Sequence, residues 1–193
     1  MNSNLKAIAA EHPLLIGGAL TSREKSRGTA DGSFETSLQI PSYTGFVTPV
    51  VERIVRKLRK ARCIPGREAD VRTALYEAVA NAVIHGNREN VKKQVHIRCR
   101  YDAQECVLIS VSDEGDGFDP KTVPDPTRPE NLESEHGRGI FLMKAYMDEV
   151  RYEKGGTEVH LMKKCGGPVH NLVWNYASKL SHYFHSHSPR IGK

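Results

Sequence analysis

Three stretches of this chain carry residues that can do chemistry together. In Ala74–Asn87, A-L-Y-E-A-V-A-N-A-V-I-H-G-N, Glu77, Asn81 and His85 recur four residues apart. On an α-helix that spacing stacks a carboxylate, an amide and an imidazole on one face. Leu75, Val79, Ala82, Val83 and Ile84 supply an opposing apolar surface. In D-E-G-D-G-F-D-P, Asp113–Pro120, Gly115 and Gly117 remove side chains so that backbone can approach a flat or anionic ligand. Asp113 can accept a hydrogen bond from an exocyclic amine such as that of adenine. Asp113, Glu114 and Asp116 would repel phosphate, so this end suits a base. Gly137-Arg138-Gly139 precedes a predicted helix, whose first amides bind anions, and Arg138 adds positive charge. Phosphates therefore belong there. A divalent ion between phosphate and protein favours oxygen ligands such as the Asn81 carbonyl. Glu77, one turn earlier, can orient or deprotonate a nucleophile facing the terminal phosphate.

Taken singly these motifs are weak. A solvated helix face explains the first, and D-x-G-x-G usually marks a tight turn. The ordered set E-x-x-x-N-A-x-x-H-G, D-x-G-x-G-F and G-x-G-I-F-L-M is far more specific.

Periodicity sets the strands and helices that carry these residues. Phe34–Ile40 alternates and reads as a strand closed by Pro41, with Ser42 as a plausible cap for the next helix. Tyr43–Arg62 has helical spacing through Phe46, Val50, Ile54, Val55 and Leu58, with regular helix expected from Pro49. Arg67–Asn87 is the second predicted helix, ended by Gly86 and Asn87, which tolerate left-handed angles. Val91–Tyr101 and Glu105–Ser112 read as strands joined at Asp102-Ala103-Gln104. Lys121–His136 is polar and proline-rich, too long for a simple turn, as lids often are. Ile140–Met147 is a third helix, and Val150–Tyr152 with Thr157–Met162 forms a hairpin around Lys154-Gly155-Gly156. Thr21–Ser33 reads as a linker, and residues from Val169 to Leu180 fit a short extra helix.

The chain has 193 residues and a formal net charge of +5, and 38% of it is hydrophobic, enough for one domain with extensions. The expected division is 1–33 as an N-terminal extension, 34–164 as the working domain and 165–193 as a C-terminal extension. No apolar stretch suits a membrane span and the flanks of Leu14–Leu20 are not those of a signal peptide, so the expected location is cytoplasmic, with no membrane role. Cys63, Cys99, Cys106 and Cys165 lack C-x-x-C spacing, and a reduced state is expected. Arg53, Arg56, Lys57, Arg59, Lys60 and Arg62 form a basic stripe that serves either solubility or partner docking. Without aromatic interleaving or a reading helix, direct nucleic-acid binding is not expected. His182, His185 and His187 lie in a polar tail with no acidic or thiol ligand nearby, which suits a surface tail better than a metal site.

The motifs E-A-V-A-N-A-V-I-H-G, V-S-D-E-G-D-G-F-D and G-R-G-I-F-L-M-K-A-Y-M-D-E-V resemble those of the bacterial anti-sigma-factor serine/threonine-protein kinases. These belong to the ATP-binding superfamily shared by gyrase-type topoisomerases, a heat-shock chaperone, histidine kinases and MutL. The resemblance runs from about Glu35 to Lys163. It implies an α+β two-layer sandwich of the Bergerat type, with helices covering a mixed, mostly antiparallel sheet. It implies ATP and Mg2+ as cofactors, a sigma factor as partner, and a small anti-sigma antagonist protein as phosphoacceptor. A homodimer is implied too. Carried over by position, Glu77 would be the catalytic base and Asn81 the magnesium ligand. Asp113 would take the adenine amine, with Gly115 and Gly117 shaping the pocket. Gly137, Arg138 and Gly139 would meet the phosphates. Thr157, in G-G-T-E-V, would help hold adenine through water, and His85 would support the site. Two other readings stand beside this one: a non-catalytic, ATP-dependent clamp on a regulatory partner, and a detached histidine-kinase ATP-binding domain.

Overall fold

The alternation of apolar residues builds a sheet with one dry face. Residues 25–28, 33–101, 106–124, 126 and 137–165 are described by the structure, a computed structural model. The strands are β1 (Lys25–Gly28), β2 (Phe34–Pro41), β3 (Gln94–Tyr101), β4 (Cys106–Ser112), β5 (Glu149–Glu153) and β6 (Glu158–Lys164). They lie in the order β1-β2-β3-β4-β6-β5, and every described pair is antiparallel. Leu38 and Ile40, Val95, Ile97 and Cys99, Val107, Ile109 and Val111, and Val159 and Leu161 are all buried on one side. With period two, the intervening residues, such as His96, Arg98 and Arg100, stand exposed on the other side.

Three helices cover the dry face: α1 (Val47–Lys60), α2 (Glu68–Asn81) and α3 (Arg138–Tyr146). Val50, Ile54, Val55 and Leu58 of α1 join Val71, Leu75, Ala78 and Val79 of α2 in one core with the strands. This is the two-layer α+β sandwich expected. Pro49 sits in the first turn of α1, where its missing N–H disrupts no helical bond.

The structure departs from the sequence reading in four places. Lys25–Gly28, read within a linker, pairs with Phe34–Ser37 as an edge strand. An edge strand of polar residues buries little, so it leaves no hydrophobic alternation to read. Ser42 does not cap α1; it is buried and its Oγ donates to the Val83 carbonyl at 3.3 Å. The long second helix is α only to Asn81, and Ala82–Gly86 continues it as a π turn. Ile84 is 42% exposed rather than buried with Val79, Ala82 and Val83, because helical periodicity turns it to the side away from theirs. Asn87 remains right-handed, and the left-handed angles fall at Arg88 and Glu89. Residues 102–104, most of the 121–136 loop, the start of the N-terminal extension and the tail beyond Cys165 lie outside the described residues.

Candidate functional site

The helices α2 and α3 pack against each other, and the last turn of α2 meets the first turn of α3. There, with the exit of β4 and the β5–β6 turn, they enclose a cavity of about 700 Å³. Its floor is a cross-strand row, Val111–Val159–Tyr152, set by the register of β4, β6 and β5. Glu77, Asn81 and His85 form one wall. His85 reaches that wall from the π turn that follows the regular helix.

Glu77 and Asn81 come close to α3. A methyl group at Gly139 would stand 2.6 Å from Glu77 Oε2 and 3.4 Å from Asn81 Nδ2. A bare backbone therefore faces the carboxylate, which any side chain at Gly139 would push aside. Gly137 is the N-cap of α3 with φ 83°, and Arg138 is its first residue. Gly137, Arg138 and Gly139 all line the cavity. Burial pushes the Glu77 carboxyl above its ordinary pKa.

Asp113 lines the cavity where the exit of β4 meets the end of the π turn. Its backbone N–H donates to the Thr157 carbonyl at 3.0 Å, and its Oδ1 accepts from the Gly115 N–H at 2.8 Å. Burial raises its pKa, while the Gly115 amide and the Lys93 charge hold it back. A methyl group at Gly86 would overlap the Asp113 carboxylate, so the glycine of H-G is what lets Asp113 sit against α2's end. Gly115 does not line the cavity; it lies behind, against the Gly86 carbonyl and Asp113. Gly117 does line it, at φ 76°, pressed on the Gly155 carbonyl where no side chain fits. Thr157 lines the cavity beside it and donates its hydroxyl to the Lys154 carbonyl at 3.0 Å.

Of the three carboxylates in D-E-G-D, only Asp113 faces the cavity. Glu114 accepts from the Gln94 N–H at 3.0 Å, and Asp116 pairs with Arg88 at 3.3 Å on the surface. The negative charge at this end of the cavity is thus narrower than the sequence suggests.

Sequence reasoning missed three residues. Asn87 is 1% exposed, gives its Nδ2 to the Gln94 carbonyl at 2.9 Å and takes the Glu114 N–H on Oδ1 at 2.8 Å. It ties the end of the π turn to the loop that carries Asp113. Its only signal was its place directly after H-G. Phe118 and Tyr152 meet edge-on at the cavity, with centroids 5.3 Å apart. Phe118 was visible in the glycine motif, whereas Tyr152 read only as a strand residue.

Among the described residues, no group of three or more His, Cys, Asp or Glu side chains could hold a metal ion. Asn81 can supply an amide oxygen at the α3 end, a donor that fits a hard cation completed by phosphate oxygens. No helix among the described residues is long and apolar enough to cross a membrane.

An open antiparallel sheet, one helical layer and a cavity between two helix ends define the class. The histidine kinase-like ATPase domain family matches residues 41–163, and the chain belongs to it. ATP is the nucleotide of such a domain. Within that class the chain is similar to an anti-sigma F factor of Clostridium novyi (strain NT), 37% identical over 102 residues that cover 49% of this chain and 69% of the relative. It is likewise similar to the serine-protein kinase RsbW of Staphylococcus aureus (strain JH9), 34% identical over 102 residues that cover 49% of this chain and 64% of the relative. The resemblance to anti-sigma-factor kinases thus stands on both the family and its named relatives.

Proposed function

We propose that this chain is an ATP-dependent serine/threonine-protein kinase and an anti-sigma factor, which binds a sigma factor and phosphorylates a small anti-sigma antagonist protein in the cytoplasm. The observation that carries this is the approach of Glu77 and Asn81 to Gly139, which sets a buried carboxylate and an amide against the first turn of α3. A pocket meant only for holding nucleotide needs the amides of α3 but has no need of that carboxylate.

In this reading Asp113 accepts the adenine amine and Thr157 supports the base. Gly117 allows the pocket wall its turn, and Gly115 holds Asp113 from behind. Gly137, Arg138 and Gly139 receive the phosphates, and His85 supports the wall between. Mg2+, held by Asn81 and the phosphates, would supply charge neutralisation. Glu77 takes the proton of the acceptor hydroxyl as its oxygen bonds to the terminal phosphorus, and the bond to the bridging oxygen breaks to release ADP. Its raised pKa makes it a stronger base than an exposed glutamate.

The test is phosphate transfer. The protein is mixed with Mg-ATP and each small sigma-antagonist protein of the same genome, and intact masses are read. A serine- or threonine-phosphorylated antagonist is expected, lost on Glu77→Ala while ATP binding largely survives. ATP binding without transfer to any candidate would leave a nucleotide-controlled clamp. Acid-labile phosphate on a histidine would point to a histidine kinase.

A further inference from the structure

The helical wall of the cavity has an outer shoulder that none of the roles above uses. Four large hydrophobic side chains stand exposed among the described residues, and three of them, Tyr76, Ile84 and Phe118, line this one cavity. Phe118 rests edge-on against Tyr152. Tyr76 and Ile84 are 44% and 42% exposed. They lie eight residues apart with Ala80 midway, so the three form one row along α2 and into the π turn. Ala80 lines the cavity too. Each residue turns a helix by about 100°, which sets Glu77 and Asn81 between this row and the core. The apolar row is therefore the solvent-side neighbour of the polar one.

The outer ridge of a surface helix is ordinarily polar. That of α1 obeys, with Thr48, Glu52, Arg56, Arg59 and Lys60 exposed. That of α2 departs from it where it borders the cavity. A contiguous apolar ridge at the mouth of a site marks a surface that something covers. Glu77 approaches Gly139 in the first turn of α3. A hydroxyl arriving at Glu77 from solvent passes the shoulder made by Tyr76 and Ala80, its neighbours one residue before and three after.

Charge says what kind of surface arrives. Arg72 continues the row one turn before Tyr76, and its contact with Glu52 of α1 at 2.7 Å leaves both side chains well exposed. Past the π turn, Arg88 is held by an exposed contact with Asp116 at 3.3 Å. Exposed pairs of this kind are worth little, so either arginine can exchange its partner for another carboxylate. The ridge is thus apolar in the middle and basic at both ends.

We propose that the row Tyr76–Ala80–Ile84 is the docking ridge for the phosphoacceptor protein. It takes an apolar side chain next to the acceptor serine or threonine, with acidic residues to either side meeting Arg72 and Arg88. The proposal rests on the kinase reading above and adds the chemistry of the acceptor surface to it.

The test is steady-state transfer from Mg-ATP to the antagonist protein that the wild-type full chain phosphorylates. Tyr76→Ser and Ile84→Ser should each raise the KM for that protein about tenfold, the scale of an anchoring side chain at an interface. Turnover at saturating acceptor and ATP affinity should both stay within about twofold, because the lost contact is made to the acceptor before and during transfer alike. Tyr76→Phe keeps the ring and should keep the KM. Arg72→Glu should raise it as well, most at low salt. The serine variants should melt beside wild type, since they replace exposed side chains. An unchanged KM in both serine variants overturns the proposal and leaves the kinase standing. ATP affinity falling with the KM would assign the ridge to the nucleotide, and a changed oligomeric state of the variants alone would assign it to a contact between copies; either overturns it. Wild type that transfers phosphate to no antagonist overturns the kinase reading, and this proposal with it.

Discussion

The two ends of the α2–α3 pair bury polar groups in opposite ways. At the end away from the cavity, Lys163 is 1% exposed on the helix-facing side of β6. Its ammonium donates to the Tyr146 carbonyl at 2.6 Å and pairs with Asp148 at 3.6 Å. Arg67 and Asp70, 2.7 Å apart at the start of α2, stand close enough to act on its charge. At the other end, Glu77 and Asp113 are half-buried with pKa values raised by desolvation. One sheet and one helix pair thus hold a polar cluster closed within the protein and another left open to a ligand. The closed cluster fastens the C-terminal end of α3 to the sheet. The open one loses stability in the free protein and gains a site.

Breaking the closed end should give the largest effect. Lys163→Ala strands the Tyr146 carbonyl and the Asp148 carboxylate and empties a packed position. Unfolding in urea should show a loss of about 3 kcal/mol or more. Lys163→Met, which keeps the volume, should lose less. ATP affinity of whatever remains folded should stay within about twofold, because the site lies roughly 20 Å away along β6 at the usual strand rise. A large loss of ATP affinity in a stably folded Lys163→Met protein would show that the two ends are coupled and the contrast false.

The closed end was nearly invisible in the sequence. The predicted strand Thr157–Met162 stops before Lys163, and nothing in the spacing of Lys163 and Lys164 says which one turns inward. Register decides it: Lys163 shares the parity of Val159 and Leu161, and its charge is tolerable there only because α3 ends beside it. The open end was legible because glycines and single polar residues must recur at fixed offsets for backbone to approach a ligand, as Gly86, Asp113 and Gly117 do. What escaped was tertiary. Asn87 looked like a terminator, and its two hydrogen bonds depend on the start of β3 and the exit of β4 meeting there. The π turn escaped as well, since the hydrophobic pattern of Ala82–Gly86 extends that of an ordinary helix.

The open end should respond to substitution in the reverse sense. Asp113→Asn keeps an acceptor for the Gly115 amide and removes a carboxylate that burial disfavours. The ligand-free protein should therefore be as stable as wild type or more so. ATP affinity should fall by about 1.5 to 3 kcal/mol, the range of a hydrogen bond to a charged group and roughly tenfold to a hundredfold in Kd. Calorimetric titration beside a melting curve reads both. Unchanged affinity would remove Asp113 from the base end. A joint loss of stability and affinity would make it a structural residue like Lys163.

The smallest effect is in pH. Glu77 and Asp113 both have folded pKa values raised by burial, so the folded, ligand-free protein holds their protons more tightly than the unfolded chain. The stability this contributes is fully present below the ordinary carboxylate range of about pH 4. It is lost as pH rises through the raised folded values. Urea midpoints measured upward from pH 4 should show this decline superimposed on the rest of the protein's titration. Asp113→Asn and Glu77→Gln should each flatten it, and the double variant most. Saturating ATP should offset part of this decline, because bonding of the amine favours the ionised Asp113. A pH profile indifferent to both substitutions would mean that neither carboxylate is strained in the free protein, and the open end would then be as settled as the closed one.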